Sequence, residues 1–301
     1  MLLLLACTAP VLDSSEDDVD TVDTTMAWTE DCLQLPEAAA FACAEELFWT
    51  GLQTDITLDG RELAYTRISA VMDEHSEPED TLGLGRRHFQ RGQLAMALAI
   101  ENDAQSYIGT VVPDIDRAME LDPDNPIIAT WKDSMLIAGA HLLGNDAALD
   151  AALEQAWVNV ELFPIGNTLS ISGTTIGLPL STGAPQKTIA LLDEWECPKG
   201  QGIAMCDGNT PRAPWARPGL AYHFGEAYAR VGRLETAQQW MDQALVEEDA
   251  EDWPYRWMAE EAAGDIEGFA AKFAELGEDG SAFELVYANS DVGCQFCHTP
   301  G

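Results

Sequence analysis

The chain has 301 residues and a formal net charge of −37, with 52 acidic against 15 basic side chains. That balance excludes a nucleic-acid binder, whose phosphates need Lys and Arg, and it opposes adhesion to anionic lipid surfaces. The length allows one or two domains with a sizeable apolar core, and the apolar run at the start, Met1 to Ala6, is far too short to cross a bilayer.

In chain order, Met1-Leu2-Leu3-Leu4-Leu5-Ala6-Cys7 comes first, with small and apolar side chains leading to a cysteine. Leu4 to Cys7 resembles the lipobox of bacterial lipoproteins, a family in which the cysteine is lipidated and becomes the mature N-terminus. The resemblance implies that residues 1–7 are a lipoprotein signal and that Cys7 carries the lipid. Thr8 rather than Asp follows Cys7, which by analogy implies the outer membrane and a place in the cell envelope. The basic segment usual before such leucines is absent, which points to a true start upstream of Met1. Residues 8–28 are acidic, rich in Ser and Thr and poor in large apolar groups, so they are expected to form a disordered tether.

From 29 to 290 the pattern predicts one helical domain. Apolar residues return at three- and four-residue intervals, as in Leu94, Leu98 and Ala99, or Leu136, Ala140 and Leu143. Ile128 to Leu143 and Ala147 to Val160, joined by Gly144-Asn145-Asp146, predict a helical hairpin, and Leu220–Val231 and Leu234–Glu247, joined by Gly232-Arg233, predict another. Glu120-Leu121-Asp122-Pro123 and Glu161-Leu162-Phe163-Pro164 recur 41 residues apart, each proline ending a helix. These turns, with Gly232-Arg233-Leu234-Glu235-Thr236-Ala237, resemble tetratricopeptide repeats over residues 80–163 and 218–277, although the spacing differs from the family's period of about 34. The resemblance implies an all-α hairpin array, an α-solenoid. Phe163 to Gln186, with Gly166, Gly173, Gly177 and Gly183 among Ser and Thr, reads as an irregular insertion that extends through the Pro-rich segment to Pro218.

Seven cysteines divide into Cys7 and three close pairs. With Cys7 lipidated, the rest lie in an exported, oxidising context where disulfides form. Cys32–Cys43 and Cys197–Cys206 are the expected disulfides, each closing a small loop and contributing about 2–3 kcal/mol. A shared metal is the alternative, but no His or Cys stands beside either pair at zinc-ligand spacing.

The third pair lies in residues 291–301. Cys294-Gln295-Phe296-Cys297-His298 has thiols two residues apart, able to reach the two vinyl groups on one porphyrin edge, followed at once by an imidazole for the iron. A disulfide or part of a zinc site are the alternatives. The motif resembles the haem attachment site of c-type cytochromes, which implies one haem c held covalently by Cys294 and Cys297, with His298 as axial ligand. In that family tens of residues and a methionine ligand usually follow. Here Thr299, Pro300 and Gly301 follow, so any sixth ligand must come from upstream, the alternative being a five-coordinate iron open to a small ligand. His75, His88, His141, His223, Met241 and Met258 are the candidates, with His223 favoured because Tyr222 and Phe224 flank it and Arg212 and Arg217, just before it, suit the propionates.

No Gly-x-Ser-x-Gly, phosphate-binding glycine loop or His-Glu-x-x-His occurs. The expected function is therefore electron transfer by a lipid-anchored, exported monohaem cytochrome, an electron carrier more than an enzyme. Its expected partner is a redox protein, with a basic face favoured by charge steering. The competing expectation is a tetratricopeptide-like lipoprotein scaffold for protein–protein interaction, whose last cysteine pair is a disulfide or metal clip.

Overall fold

The computed structural model describes residues 32–52, 57–102, 105–194, 213–282 and 285–286. Among the described residues the chain forms twelve α-helices and two 3-10 turns, and no strand. The fold is all-α, an array of helical hairpins. No helix among the described residues is long and apolar enough to cross a membrane. The described residues fall into two compact units divided between Lys132 and Asp133.

The first unit begins with a 3-10 turn, Cys32–Gln34, followed by α1 (Glu37–Gly51), α2 (Leu58–Glu74), α3 (Thr81–Asn102) and α4 (Gln105–Leu121). In α1, alanines favour the helix and Ala40, Phe41, Ala44, Leu47, Phe48 and Gly51 return on one buried face. Thr57 opens α2 by accepting a hydrogen bond from the Gly60 N–H, and Ala64, Ile68, Val71 and Met72 face the core. These two faces and Leu94 of α3 form one apolar cluster, which includes Cys32. Cys32 and Cys43 are joined as a disulfide that ties the entering chain to α1, with Cα atoms 5.8 Å apart. Gly51 allows the closest approach of these helices, because a Cβ there would lie 2.9 Å from Leu94 Cδ2 and 3.0 Å from Ala64 Cβ.

Helix α5 (Pro126–Leu142) contains the division between the units. In the second unit follow α6 (Asp146–Leu162), α7 (Pro164–Gly177), a 3-10 turn (Leu180–Thr182), α8 (Ala184–Asp193), α9 (Ala216–Arg230), α10 (Leu234–Val246), α11 (Arg256–Gly264) and α12 (Ile266–Ala274). The two predicted hairpins are present as α5–α6 and α9–α10, with Asn145 capping α6 and Gly232 at φ +77° turning α9 into α10.

The described residues 163–194 and 213–218 are largely helical, unlike the irregular insertion that the sequence suggests there. Pro164 does not merely end α6; it is the first residue of α7, where its missing N–H costs nothing. Asn167, Thr168, Ser170, Ser172, Thr174 and Thr175 of α7 are all buried, together with Leu169, Ile171 and Ile176. Three of the hydroxyls bond back to the helix itself: Ser170 donates to Gly166 O (3.0 Å), Ser172 to Leu169 O (2.8 Å) and Thr175 to Ile171 O (3.0 Å). Such bonds let a helix rich in Ser and Thr be buried with most of these hydroxyls paired, Thr174 Oγ1 being buried without a partner.

Candidate functional site

Cys7, Cys197, Cys206, Arg212, Cys294, Cys297 and His298 lie outside the described residues, as does the expected tether. What the structure places are the upstream histidines and methionines, and the chain leading toward the C-terminal motif.

His88 is committed to the first unit. Its Nδ1 lies 2.9 Å from Asp114 Oδ1, and Arg91 donates to both oxygens of the same carboxylate, from Nε at 2.9 Å and from Nη2 at 2.6 Å. Burial pushes the Asp114 carboxyl up, but these hydrogen bonds and charges outweigh it and hold the group below the ordinary carboxylate range. His75 closes α2, packs edge-on against Phe41 at 5.8 Å and keeps its Nε2 buried without a hydrogen-bond partner. His141 is pushed below the usual imidazole value by burial. Met241 is fully buried against Gly225, where an added Cβ would meet its Sδ at 2.8 Å, and Met258 is half-buried.

His223 lies in α9, in the middle of the second unit. Its Nε2 is 2.7 Å from Ser172 Oγ of α7, and its Nδ1 is 3.8 Å from Glu226 Oε2, one turn further along α9. All three side chains are buried. The hydroxyl of Ser172 has one proton. Where Leu169 O takes it, the imidazole donates to Ser172 from Nε2. Nδ1 has no hydrogen-bond partner, and the charged group beside it is the Glu226 carboxylate. Tyr222 and Phe224 flank His223 as the sequence requires, but both are core residues: Tyr222 packs against Trp253 and Phe269, and Phe224 edge-on against Trp240 at 4.8 Å. Arg217 pairs with Glu247 at 3.4 Å.

The order Ser172, His223, Glu226 has the connectivity of an acyl-transfer triad, and sequence reasoning missed it. The chemistry does not follow. Ser172 is fully enclosed within a helix, its hydroxyl already donates to Leu169 O, and an attacking oxygen needs a face open to substrate and N–H donors for the oxyanion. His223 and Glu226 are three residues apart on one helix, so that pair was legible. Ser172, 51 residues away, had no signal in the sequence.

The last described segment is held to the same unit. Gly177 O, at the end of α7, accepts from the Ala282 N–H at 2.8 Å, and Glu278 O accepts from the Ser181 N–H at 3.3 Å. Ala282 and Val286 are buried in one cluster with Leu169, Ile176, Phe224, Ala227 and Phe273. Among the described residues no group of three or more His, Cys, Asp or Glu side chains stands ready to hold a metal ion. No family model, curated protein or solved structure matches the chain.

Proposed function

We propose that this chain is an exported, lipid-anchored, monohaem c-type cytochrome that transfers electrons. The observation that carries the reading is Cys294-Gln295-Phe296-Cys297-His298, two thiols and an imidazole at the spacing that covalent haem attachment needs. The disulfide between Cys32 and Cys43 supports it, because both disulfides and haem attachment belong to compartments outside the cytoplasm. So does the sequence before Cys7, which is of the kind that is lipidated after export.

Bound in this way, the haem supplies reversible one-electron chemistry at iron. Cys294 and Cys297 would hold the haem covalently and His298 would bind its iron. His223, favoured from the sequence as a second ligand, would have to leave either the Ser172 hydrogen bond at Nε2 or the Glu226 carboxylate beside Nδ1 to do so. The carboxylate excess gives the chain a field that steers a basic redox partner toward it.

The test is expression for export together with a cytochrome c maturation system, followed by a haem-stained denaturing gel and an absorption spectrum. Covalent haem that is lost in Cys294→Ala and Cys297→Ala supports the reading. Correctly exported wild-type protein without covalent haem would sink it. Replacing His223 by Met then reads the sixth ligand, since a ligand change alters the reduced spectrum.

A further inference from the structure

Trp257 is 57% exposed, whereas every other described tryptophan is buried or half-buried. It is the second residue of α11, and Val246, 74% exposed, is the last of α10. Arg256 draws these two helix ends together, its Nη1 donating to Leu245 O at 3.0 Å and to Ala250 O at 3.3 Å. Two large apolar side chains therefore stand in water at the same end of the α10–α11 pair. A ring of this size is normally covered, and tryptophan is enriched where protein partners dock.

Acid surrounds this apolar pair. Between Val246 and Glu261 stand seven carboxylates and one basic side chain, Arg256. Glu247 is paired with Arg217 at 3.4 Å, while Glu248, Asp249, Glu251 and Asp252 of the connecting loop are exposed. Glu260 and Glu261 follow Trp257 three and four residues on, the positions that share its helix face. Arg256 meets Glu260 at 2.8 Å and Lys272 meets Glu261 at 3.5 Å, surface pairs that water screens and that a competitor displaces at little cost. The loop itself is fixed. Ala250 and Trp253 are each 2% exposed, and the Ala250 and Asp252 N–H groups donate to Glu247 O and Asp249 O. A loop already held in place loses little freedom when a partner binds.

We propose that the Trp257 end of α10 and α11 is a docking surface for a basic protein, one that presents arginine beside an apolar side chain. A guanidinium stacks on the indole face and donates in its own plane to carboxylates such as Glu260 and Glu261, while the apolar neighbour covers Val246. Charge decides the occupant. A second copy of this chain would bring the same net charge of −37, and nucleic acid is repelled by the same carboxylates. The inference goes beyond the haem reading and stands apart from it, because neither the surface nor its test involves haem.

The probe is a short fluorescently labelled peptide of alternating arginine and leucine, titrated with full-length protein and read by anisotropy. Trp257→Ala should weaken binding about tenfold. Val246→Ser, on the other helix, should weaken it about threefold, and it decides the matter if Trp257→Ala does not fold. Neutralising the loop, with Glu248→Gln, Asp249→Asn, Glu251→Gln and Asp252→Asn together, should weaken binding by at least about tenfold. Neutralising as many exposed carboxylates elsewhere, at Glu74, Glu77, Asp124 and Glu154, should weaken it less than about threefold, since distant charges are screened. Equal losses in these two neutralised proteins would mean that net charge alone holds the peptide, and would overturn the inference. Unchanged binding in Trp257→Ala overturns it too, as does equal binding of a peptide of alternating glutamate and leucine. Dimerisation of the wild type that Trp257→Ala abolishes would give the surface to a second copy. Ca2+ that binds the loop while the peptide does not would make it a cation site. Either result overturns the inference and leaves the haem reading untouched.

Discussion

The helices of the two units bury polar groups in two ways. In the first unit buried charged groups tie separate helices together. Arg61 of α2 donates to Gly51 O at the end of α1 at 2.7 Å, Arg87 of α3 to Phe41 O of α1 at 2.6 Å and to Glu45, and Asp114 of α4 takes His88 and Arg91 of α3. In the second unit α7 buries neutral hydroxyls that turn back on their own helix. The first arrangement fixes which helices are neighbours, since a buried charge is tolerable only beside its partner. The second unit also has buried polar contacts between segments, Asn159 with Asp133, Ser134 with Ser170 O, Ser172 with His223, Thr175 with Thr188, and Arg230 with three backbone carbonyls, but those of α7 are mostly made within the helix.

If that contrast is right, removing a charge should hurt most. Asp114→Ala leaves Arg91 and His88 without their shared carboxylate, and it is expected to cost about 3–5 kcal/mol. Peptide-resolved hydrogen exchange should place the loss in α3 and α4. The same carboxylate sets an acid limit. Its folded value lies below the ordinary one of 3.8, so its contribution is complete above the unfolded value and is lost as pH falls through the folded value. Wild-type protein should therefore lose more of the first unit's stability below about pH 4 than Asp114→Ala does. Equal acid profiles would show that the pair contributes nothing.

The disulfide comes next. Cys32 and Cys43 are 11 residues apart, and closing a loop of that length stabilises by about 3 kcal/mol through the unfolded chain. Replacing both by Ser should lower the denaturation midpoint of the first unit and leave exchange in α9 and α10 unchanged. A global loss would mean that the two units unfold as one, which would dissolve the comparison.

In the second unit the largest hydroxyl effect is expected at Ser172. Ser172→Ala removes the partner of a buried imidazole nitrogen and should cost about 1–3 kcal/mol. Thr175→Val, which keeps the shape and leaves Thr188 bonded to Ala184 O at 3.0 Å, should cost about 1 kcal/mol. Thermal melts of the two variants order them. A reversed order would show that α7 depends on Thr175 for its placement, and that His223 can do without Ser172.

The hairpins were legible because their signals are local. Gly144-Asn145-Asp146 joins a left-handed turn to a cap, and Gly232 again supplies a positive φ where the chain must reverse. Helix α7 was not legible, because Gly, Ser and Thr in succession are what loops are made of, and only burial turns their hydroxyls inward to carbonyls three and four residues back. The Cys294-Gln295-Phe296-Cys297-His298 spacing is read from the sequence alone and lies outside the described residues. The Arg230 contacts were not legible, since backbone carbonyls have no sequence signature and those it reaches are 43 to 52 residues away.

The smallest effect tests whether burial, rather than charge, makes the first unit's pairs matter. Arg117 and Glu120 lie three residues apart on α4 at 2.8 Å, a shorter contact than two of the three at Asp114, but their side chains are 47% and 65% exposed. Water screens such a pair, and ordering two long side chains offsets most of what remains. Glu120→Gln should therefore change stability by less than about 0.5 kcal/mol, in urea titrations at low and high salt alike. If it cost as much as Asp114→Ala, the strongly acidic surface rather than the buried triad would be holding α3 and α4 together. The first unit would then differ from the second in net field and not in how its interior is wired.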